Sequence, residues 1–202
     1  SVGISSYYFE TSAAAESPSD PFDGTFQLYV AGSASNGVLG KNNTSNYSSP
    51  AQIPGNSWRY AMSMRNTALA TKTDGTLWAW GYSNDGNLAV ADNANRSSPM
   101  QIPGTQWDDI VEIRTHGMLA TKTDGTLWGW GTNANGQLGL NNTTNKNSPT
   151  QIPGSQWKVV YQESNEGSGT AHVFKTDGTL WAWGYNGSGQ LGLNDTANRS
   201  SP

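Results

Sequence analysis

Thr123-Asp124-Gly125-Thr126-Leu127-Trp128-Gly129-Trp130-Gly131 is the stretch on which the fold turns. Asp124-Gly125 reads as a two-residue hairpin loop of type I′, which needs positive φ at both central positions. The residues after it read as a strand. Alternation sends Trp128 and Trp130 to one side and Leu127 and Gly129 to the other, so both sides are apolar. A strand with two apolar sides has to be covered on both. Small residues on one side, at Ala79, Gly129 and Ala182, suggest a close approach by an adjacent sheet.

The same words recur along the chain. Thr73 to Gly81 and Thr176 to Gly184 repeat the stretch almost letter for letter, and a degenerate form runs from Asp23 to Gly32. A second Gly follows five residues after each strand, at Gly37, Gly86, Gly136 and Gly189, and a Ser-Pro closes each interval at Pro50, Pro99, Pro149 and Pro202. Gln-Ile-Pro-Gly then ends at Gly55, Gly104 and Gly154, with Trp58, Trp107 and Trp157 three residues on. All nine tryptophans sit at repeat positions, which makes them architectural and leaves none for a separate ligand cage. Repeats of about 50 residues are the signature of an array of supersecondary units.

Each unit reads as four short strands. In the best copy these are Trp107 to Ile113, Met118 to Lys122, Thr126 to Trp130, and a short stretch from Pro149 to Ile152. Prolines at both ends of the fourth confine it to an edge or a strand terminus. Residues 23–202 thus hold about four repeats, the first degenerate and the last incomplete. Residues 1–22 form an N-terminal segment or linker, with the aromatic cluster Tyr7-Tyr8-Phe9 as a docking strand, a tail, or the remnant of an upstream unit. From residue 56 onward almost everything is expected to be strand and turn.

Composition supports this and excludes other classes. Of 202 residues 13% are charged and 24 are Gly, and the net charge is −4. Lys and Arg are scattered singly, so no electrostatic footprint for nucleic acid exists. There is no cysteine, hence no disulfide and no thiolate chemistry. No apolar run is long enough for a membrane helix, and no signal-peptide pattern opens the chain. It starts at Ser1 rather than Met, as a processed chain or a piece of a longer one would.

No catalytic constellation emerges, and no cofactor or metal is expected. Asp74, Asp124 and Asp177 are periodic carboxylates, but each sits in a turn, where Asp has a structural use. His116 and His172 are the two histidines, and neither has metal or triad spacing; strand-end or surface roles are the simpler reading. Gly136 and Gly139 lack the strand–loop–helix setting of a phosphate loop. Asn84-Asp85-Gly86-Asn87 lacks the later bidentate Glu of a calcium loop. One irregularity stands out. The interval from first-strand Trp to turn Thr is longest in the last copy, Trp157 to Thr176, and the extra residues fall in Glu163, Ser164, Asn165, Glu166, Gly167 and Ser168. Insertions in one repeat map to loops on one face, often a binding face. This loop is the candidate partner-binding site, beside the alternative of drift in a tolerant loop.

The pattern Ala68 to Gly81, followed by Asn-x-x-Gly-Gln-Leu-Gly at Asn133 to Gly139 and Asn186 to Gly192, resembles the regulator-of-chromosome-condensation repeat. The resemblance covers residues 23–202. It implies an all-β fold, a β-propeller of four-stranded repeats, with this chain an incomplete part of a seven-bladed ring. Two departures are visible. The family's His before the second strand is replaced at Thr67, Gly117 and Thr170, and Gln-Leu-Gly becomes Asn87-Leu88-Ala89 in one copy. The loops on which the namesake's nucleotide exchange depends are not visible, so none of those residues is carried over. The Asn-rich turns and repeated Gln-Ile-Pro-Gly-x-x-Trp are similar to bacterial and marine-phage members, many of them large surface or virion proteins.

The function expected is a non-enzymatic binding or structural module in a virion or cell-surface assembly, with a protein or surface glycan as partner. Neighbouring blades would come from chain continuation or another subunit. The alternatives are a nucleotide-exchange regulator of a small GTPase and a secreted protein inhibitor of an enzyme.

Overall fold

The computed structural model describes residues 6–11, 26–64, 66–113, 116–161 and 169–202. All fourteen named strands lie in antiparallel sheets. The first sheet holds β1 (Ser6–Thr11), β2 (Phe26–Gly32) and β3 (Tyr47–Gln52). The second runs β4 (Trp58–Met64), β5 (Thr67–Lys72), β6 (Leu77–Gly81) and β7 (Arg96–Ile102). The third repeats it as β8 (Trp107–Ile113), β9 (Gly117–Lys122), β10 (Leu127–Gly131) and β11 (Lys146–Ile152). The fourth has β12 (Trp157–Tyr161), β13 (Thr170–Lys175) and β14 (Leu180–Gly184), with an isolated bridge from Gly184 to Arg199. Beyond residue 56 the described residues contain no helix, and a single 3₁₀ turn lies at Ser35–Gly37. None of them forms a helix long and apolar enough to cross a membrane.

The chain divides into two compact units, Ser1–Ser83 with Ala94–Thr105, and Asn84–Asn93 with Gln106–Pro202. Each has its own core, and the two cores follow one rule. In the first unit Leu28, Val30, Val38, Leu39 and Ile53 cluster with Trp58, Ala68, Ala70 and Trp80. In the second, Ile113, Leu119, Leu127 and Ile152 cluster with Trp157, Ala171, Val173 and Trp183. The aliphatic face of one sheet therefore packs on the indole and small-residue face of the next. Alternation makes this possible: β9 is buried on both sides, with Met118 and Ala120 opposite Trp130 and Trp128, and Leu119 opposite Gly129. Each buried indole removes about 150–250 Å² from water, worth roughly 4–6 kcal/mol before ordering costs.

Two local expectations change. The hairpin between β9 and β10 is not a two-residue type I′ loop. Asp124 keeps negative φ, and only Gly125 is left-handed, at φ 77°. The amide of Gly125 donates to the Lys122 carbonyl, and the amide of Lys122 donates to the Thr126 carbonyl. This is a three-residue loop, a tight turn followed by a left-handed glycine, the next most common hairpin connection. The fourth strand begins at Lys146, three residues before Pro149. Register jumps from Gly129–Thr150 to Gly131–Lys146, so the proline sits in a bulge on an edge strand, where its missing N–H leaves no ladder bond unmade. Nearest to a Cβ on Gly129 stand Leu119, Ile152 and Leu138 of its own repeat, and Leu119 and Ile152 in turn pack in one cluster with Trp157 and Trp183 of the next sheet.

At the amino terminus, Ser6–Thr11 pairs along β2 from Ser6 opposite Ala31 to Thr11 opposite Phe26.

Candidate functional site

The loop singled out by its length, Glu163, Ser164, Asn165, Glu166, Gly167 and Ser168, lies outside the described residues. Its two ends are fixed, by Tyr161 closing β12 and Thr170 opening β13. Those two strands are antiparallel neighbours, with Tyr161 opposite His172.

The periodic polar residues form one cassette three times over. Asp124 Oδ1 accepts from the Thr126 amide at 2.9 Å and the Thr126 hydroxyl at 2.6 Å. The Thr126 hydroxyl oxygen in turn accepts from Trp128 Nε1 at 2.9 Å. Across the sheet Lys122 Nζ stands 4.6 Å over Trp107 and 4.5 Å over Trp128, a cation held between two indoles. Trp107 meets Trp128 and Trp130 edge-on, at 6.1 and 5.9 Å. Asp74, Thr76, Trp78, Lys72 and Trp58 make the same set, as do Asp177, Thr179, Trp181, Lys175 and Trp157. The threonine hydroxyl, and then its amide, hold the carboxyls of Asp74, Asp124 and Asp177 below the usual carboxylate value. In the degenerate first repeat, Tyr29 replaces the outer indole, and its hydroxyl donates to Gln27 Oε1 at 3.1 Å. One cost recurs with the cassette: the Nε1 groups of Trp58, Trp107 and Trp157 are buried without a hydrogen-bond partner.

The loops after the third strands are tied by buried asparagines, which composition alone had shown only as turn-rich sequence. Asn133 donates from Nδ2 to the Asn142 and Thr144 carbonyls and accepts the Leu138 amide at Oδ1. Asn186 does the same with Asp195 and Leu191. Asp195, held down by the Ala197 amide and then by Arg199, pairs with that guanidinium at 2.6 Å. In the loop likened to a calcium site, Asp85 meets Asn84 Nδ2 at 3.1 Å, and the Asn87 carbonyl accepts Trp130 Nε1 at 3.0 Å. Gly136 and Gly139 are links in the same kind of loop, each donating its amide to a carbonyl three residues back.

The histidines are not brought together with a nucleophile or a metal cage. His116 sits at the β8–β9 turn with φ 68°, its Nδ1 3.9 Å from Glu112 Oε1. His172 lies on β13 opposite Ala182, and its Nδ1 is shut off from solvent with no hydrogen-bond partner. Among the described residues no three His, Asp or Glu side chains converge as a metal site requires.

A family profile described as "Regulator of chromosome condensation (RCC1) repeat" matches residues 74–118, 124–162 and 177–202, more than half of the chain. No curated protein matches. Among solved structures the chain is similar to human WBSCR16, at 21% identity and TM-score 0.68 over 88% of this chain and 48% of that one. It is similar to Prp20p from Saccharomyces cerevisiae, described with its binding to Gsp1p and histones, at 17% identity and TM-score 0.69 over 88% and 47%. The chain thus spans about half the length of the structures it matches, and identities this low speak for the fold alone.

Proposed function

The chain belongs to the regulator of chromosome condensation (RCC1) repeat family, and from that membership we propose that it is a non-enzymatic β-propeller module that binds a protein partner. One observation carries the reading. The side chains that could do chemistry at regular spacing, Asp124, Thr126 and Lys122 with their counterparts, are consumed by contacts inside their own repeat. The scaffold repeats, so specificity has to come from what does not repeat, and the longer loop at Glu163 to Ser168 is the strongest sequence irregularity. The Asn-rich dialect supports a virion or cell-surface setting.

Affinity capture with the chain as bait, followed by mass spectrometry, tests this. The expected result is a protein retained by the native chain and weakened by Glu163→Ala with Glu166→Ala, while thermal unfolding stays unchanged. Equal retention by both would remove the loop from the site. The second reading, nucleotide exchange on a small GTPase, has one pointer: the similar Prp20p was described as binding Gsp1p. A nucleotide-release assay across a GTPase panel separates the two, and strong acceleration would reverse their order.

A further inference from the structure

Lysine and indole meet in the same way in three repeats, and the meeting has the form of a binding site with an occupant. Lys122 Nζ lies 4.6 Å from the Trp107 ring and 4.5 Å from that of Trp128, and Lys72 Nζ lies 4.7 Å from both Trp58 and Trp78. Lys175 repeats this at 4.4 and 4.5 Å from Trp157 and Trp181. All six distances fall within the ~6 Å over which a ring quadrupole holds a cation. The two rings stand at 76° to each other for Trp58 and Trp78, and at 74° for Trp107 and Trp128. The ammonium therefore sits in a corner between two aromatic walls.

The walls do not need the lysine. Trp128 Nε1 is fixed by the Thr126 hydroxyl, which Asp124 holds in turn, and Trp78 is fixed the same way by Thr76 and Asp74. Trp107 is buried, and its ring also meets Trp130 at 5.9 Å. Such a corner is preorganised. The glycine that ends Gln-Ile-Pro-Gly keeps a third side open. A Cβ on Gly55, whose φ is 104°, would stand 3.3 Å from Lys72 Nζ and 3.6 Å from Trp58 Cζ2. Gly104 and Gly154 keep the same conformation, at φ 101° and 103°. These glycines are exposed, and Lys72, Lys122, Trp78 and Trp128 are half-buried, so the corner opens to solvent. The lysine matches the place poorly. An ammonium carries three N–H donors, yet among the described residues neither Lys72 nor Lys122 has a hydrogen-bond acceptor or an ion-pair partner for them. Asp124 acts on Lys122 by charge alone. A cation with no N–H gives up nothing there, and its methyl groups offer the indoles an apolar surface that carries positive charge.

We infer that the indole pairs Trp58–Trp78 and Trp107–Trp128 are binding sites for a quaternary ammonium group such as that of choline, each occluded by the chain's own lysine. The lysine is a tethered competitor. An external cation binds only the fraction of molecules in which Lys72 or Lys122 has swung out, and its apparent affinity falls by that fraction. The tryptophans thus line a site as well as a core, which their repeat positions alone do not reveal. The inference does not rest on the loop at Glu163 to Ser168, so a failed capture experiment leaves it standing.

Choline is titrated into the native chain and into Lys122→Ser, with the choline methyl protons and the indole N–H signals followed by nuclear magnetic resonance. Lys122→Ser should bind about tenfold or more tightly than the native chain. Binding should move the Trp107 and Trp128 signals and shift the methyl protons upfield, as ring currents do. The neutral isostere of choline, with carbon in place of the nitrogen, should bind neither protein. Lys72→Ser repeats the measurement in the first unit and covers the case in which Lys122→Ser does not fold. Co-sedimentation of the native chain with phosphatidylcholine vesicles distinguishes the sources: retention assigns a lipid headgroup, its absence the free cation, and both keep the site. An equal response to the neutral isostere overturns the cation site, and equal affinity in native chain and variant overturns the occlusion. No saturable response in a folded Lys→Ser variant overturns the proposal outright. So does none in the native chain at about a hundredfold the variant's midpoint.

Discussion

Asp124 shows how much one side chain does in each repeat. It accepts two bonds from Thr126, which frees that hydroxyl's oxygen to orient Trp128 and so the wall behind Lys122. Because these bonds favour the charged form, the folded protein takes up the proton less readily than the unfolded chain. Stability from Asp74, Asp124 and Asp177 is therefore full above the unfolded carboxylate value, about 3.9, and is lost as pH falls through the lower folded values. Melting temperature should be nearly flat from neutral pH to about 5 and decline below about 4. A variant with all three changed to Asn should show a shallower acid limb; an unchanged limb would remove these carboxylates from the account. Lys122→Met keeps the aliphatic stem and deletes the cation between two indoles. It should cost about 1 kcal/mol in urea unfolding. Sequence reading placed Asp124 in a turn and Trp128 in a strand, but Lys122 passed as an ordinary surface charge. Its role needs Trp107 and Trp128, and only the sheet brings those two within reach of one amine.

Among the elements, strands with internal repetition were legible and the irregular joints were not. Trp107–Ile113 is legible to the residue, and β9 and β10 to within one. The hairpin between them is not legible, because Asp-Gly satisfies two different turns. What decides is loop length, and the Lys122–Thr126 bond sets it at three residues. In this turn only the glycine is left-handed. Gly125→Ala should therefore cost about 1–2 kcal/mol, and Gly125→Asn clearly less, since Asn tolerates that conformation. Equal costs in denaturant unfolding would mean that the limit is space beside Gln156, 3.3 Å from a built Cβ, and not backbone strain. Pro149 reads as the beginning of the fourth strand, yet the strand starts three residues earlier, at Lys146. A bulge absorbs a proline without ending a strand, and nothing local in the sequence announces a bulge. Ser6–Thr11 pairs with β2, as the docking-strand reading of Tyr7-Tyr8-Phe9 has it, though the aromatic cluster names neither the partner strand nor the register.

At the scale of the molecule, the repeats look interchangeable in sequence, yet the structure gives the same letter different energies at different places in the array. Thr-Leu-Trp-x-Trp reads identically at Leu77, Leu127 and Leu180. The first two leucines are fully buried and pair across the sheet with Ile102 and Ile152, while the third is 54% exposed. Sequence could supply the shared part, because an array's core is written once per repeat. The unshared part depends on which sheet faces lie against a neighbour, and a repeat does not encode its own position. Leu127→Ala removes buried methyl groups and leaves a cavity, so it should cost about 2–5 kcal/mol. Leu180→Ala trims a side chain half in water and should fall within about 0.5 kcal/mol of the native chain. Urea unfolding of the two variants side by side, followed by tryptophan fluorescence, makes the comparison. If the two lose equal stability, Leu180 is covered in solution, and the packing around β14 is not the open face described by its exposure.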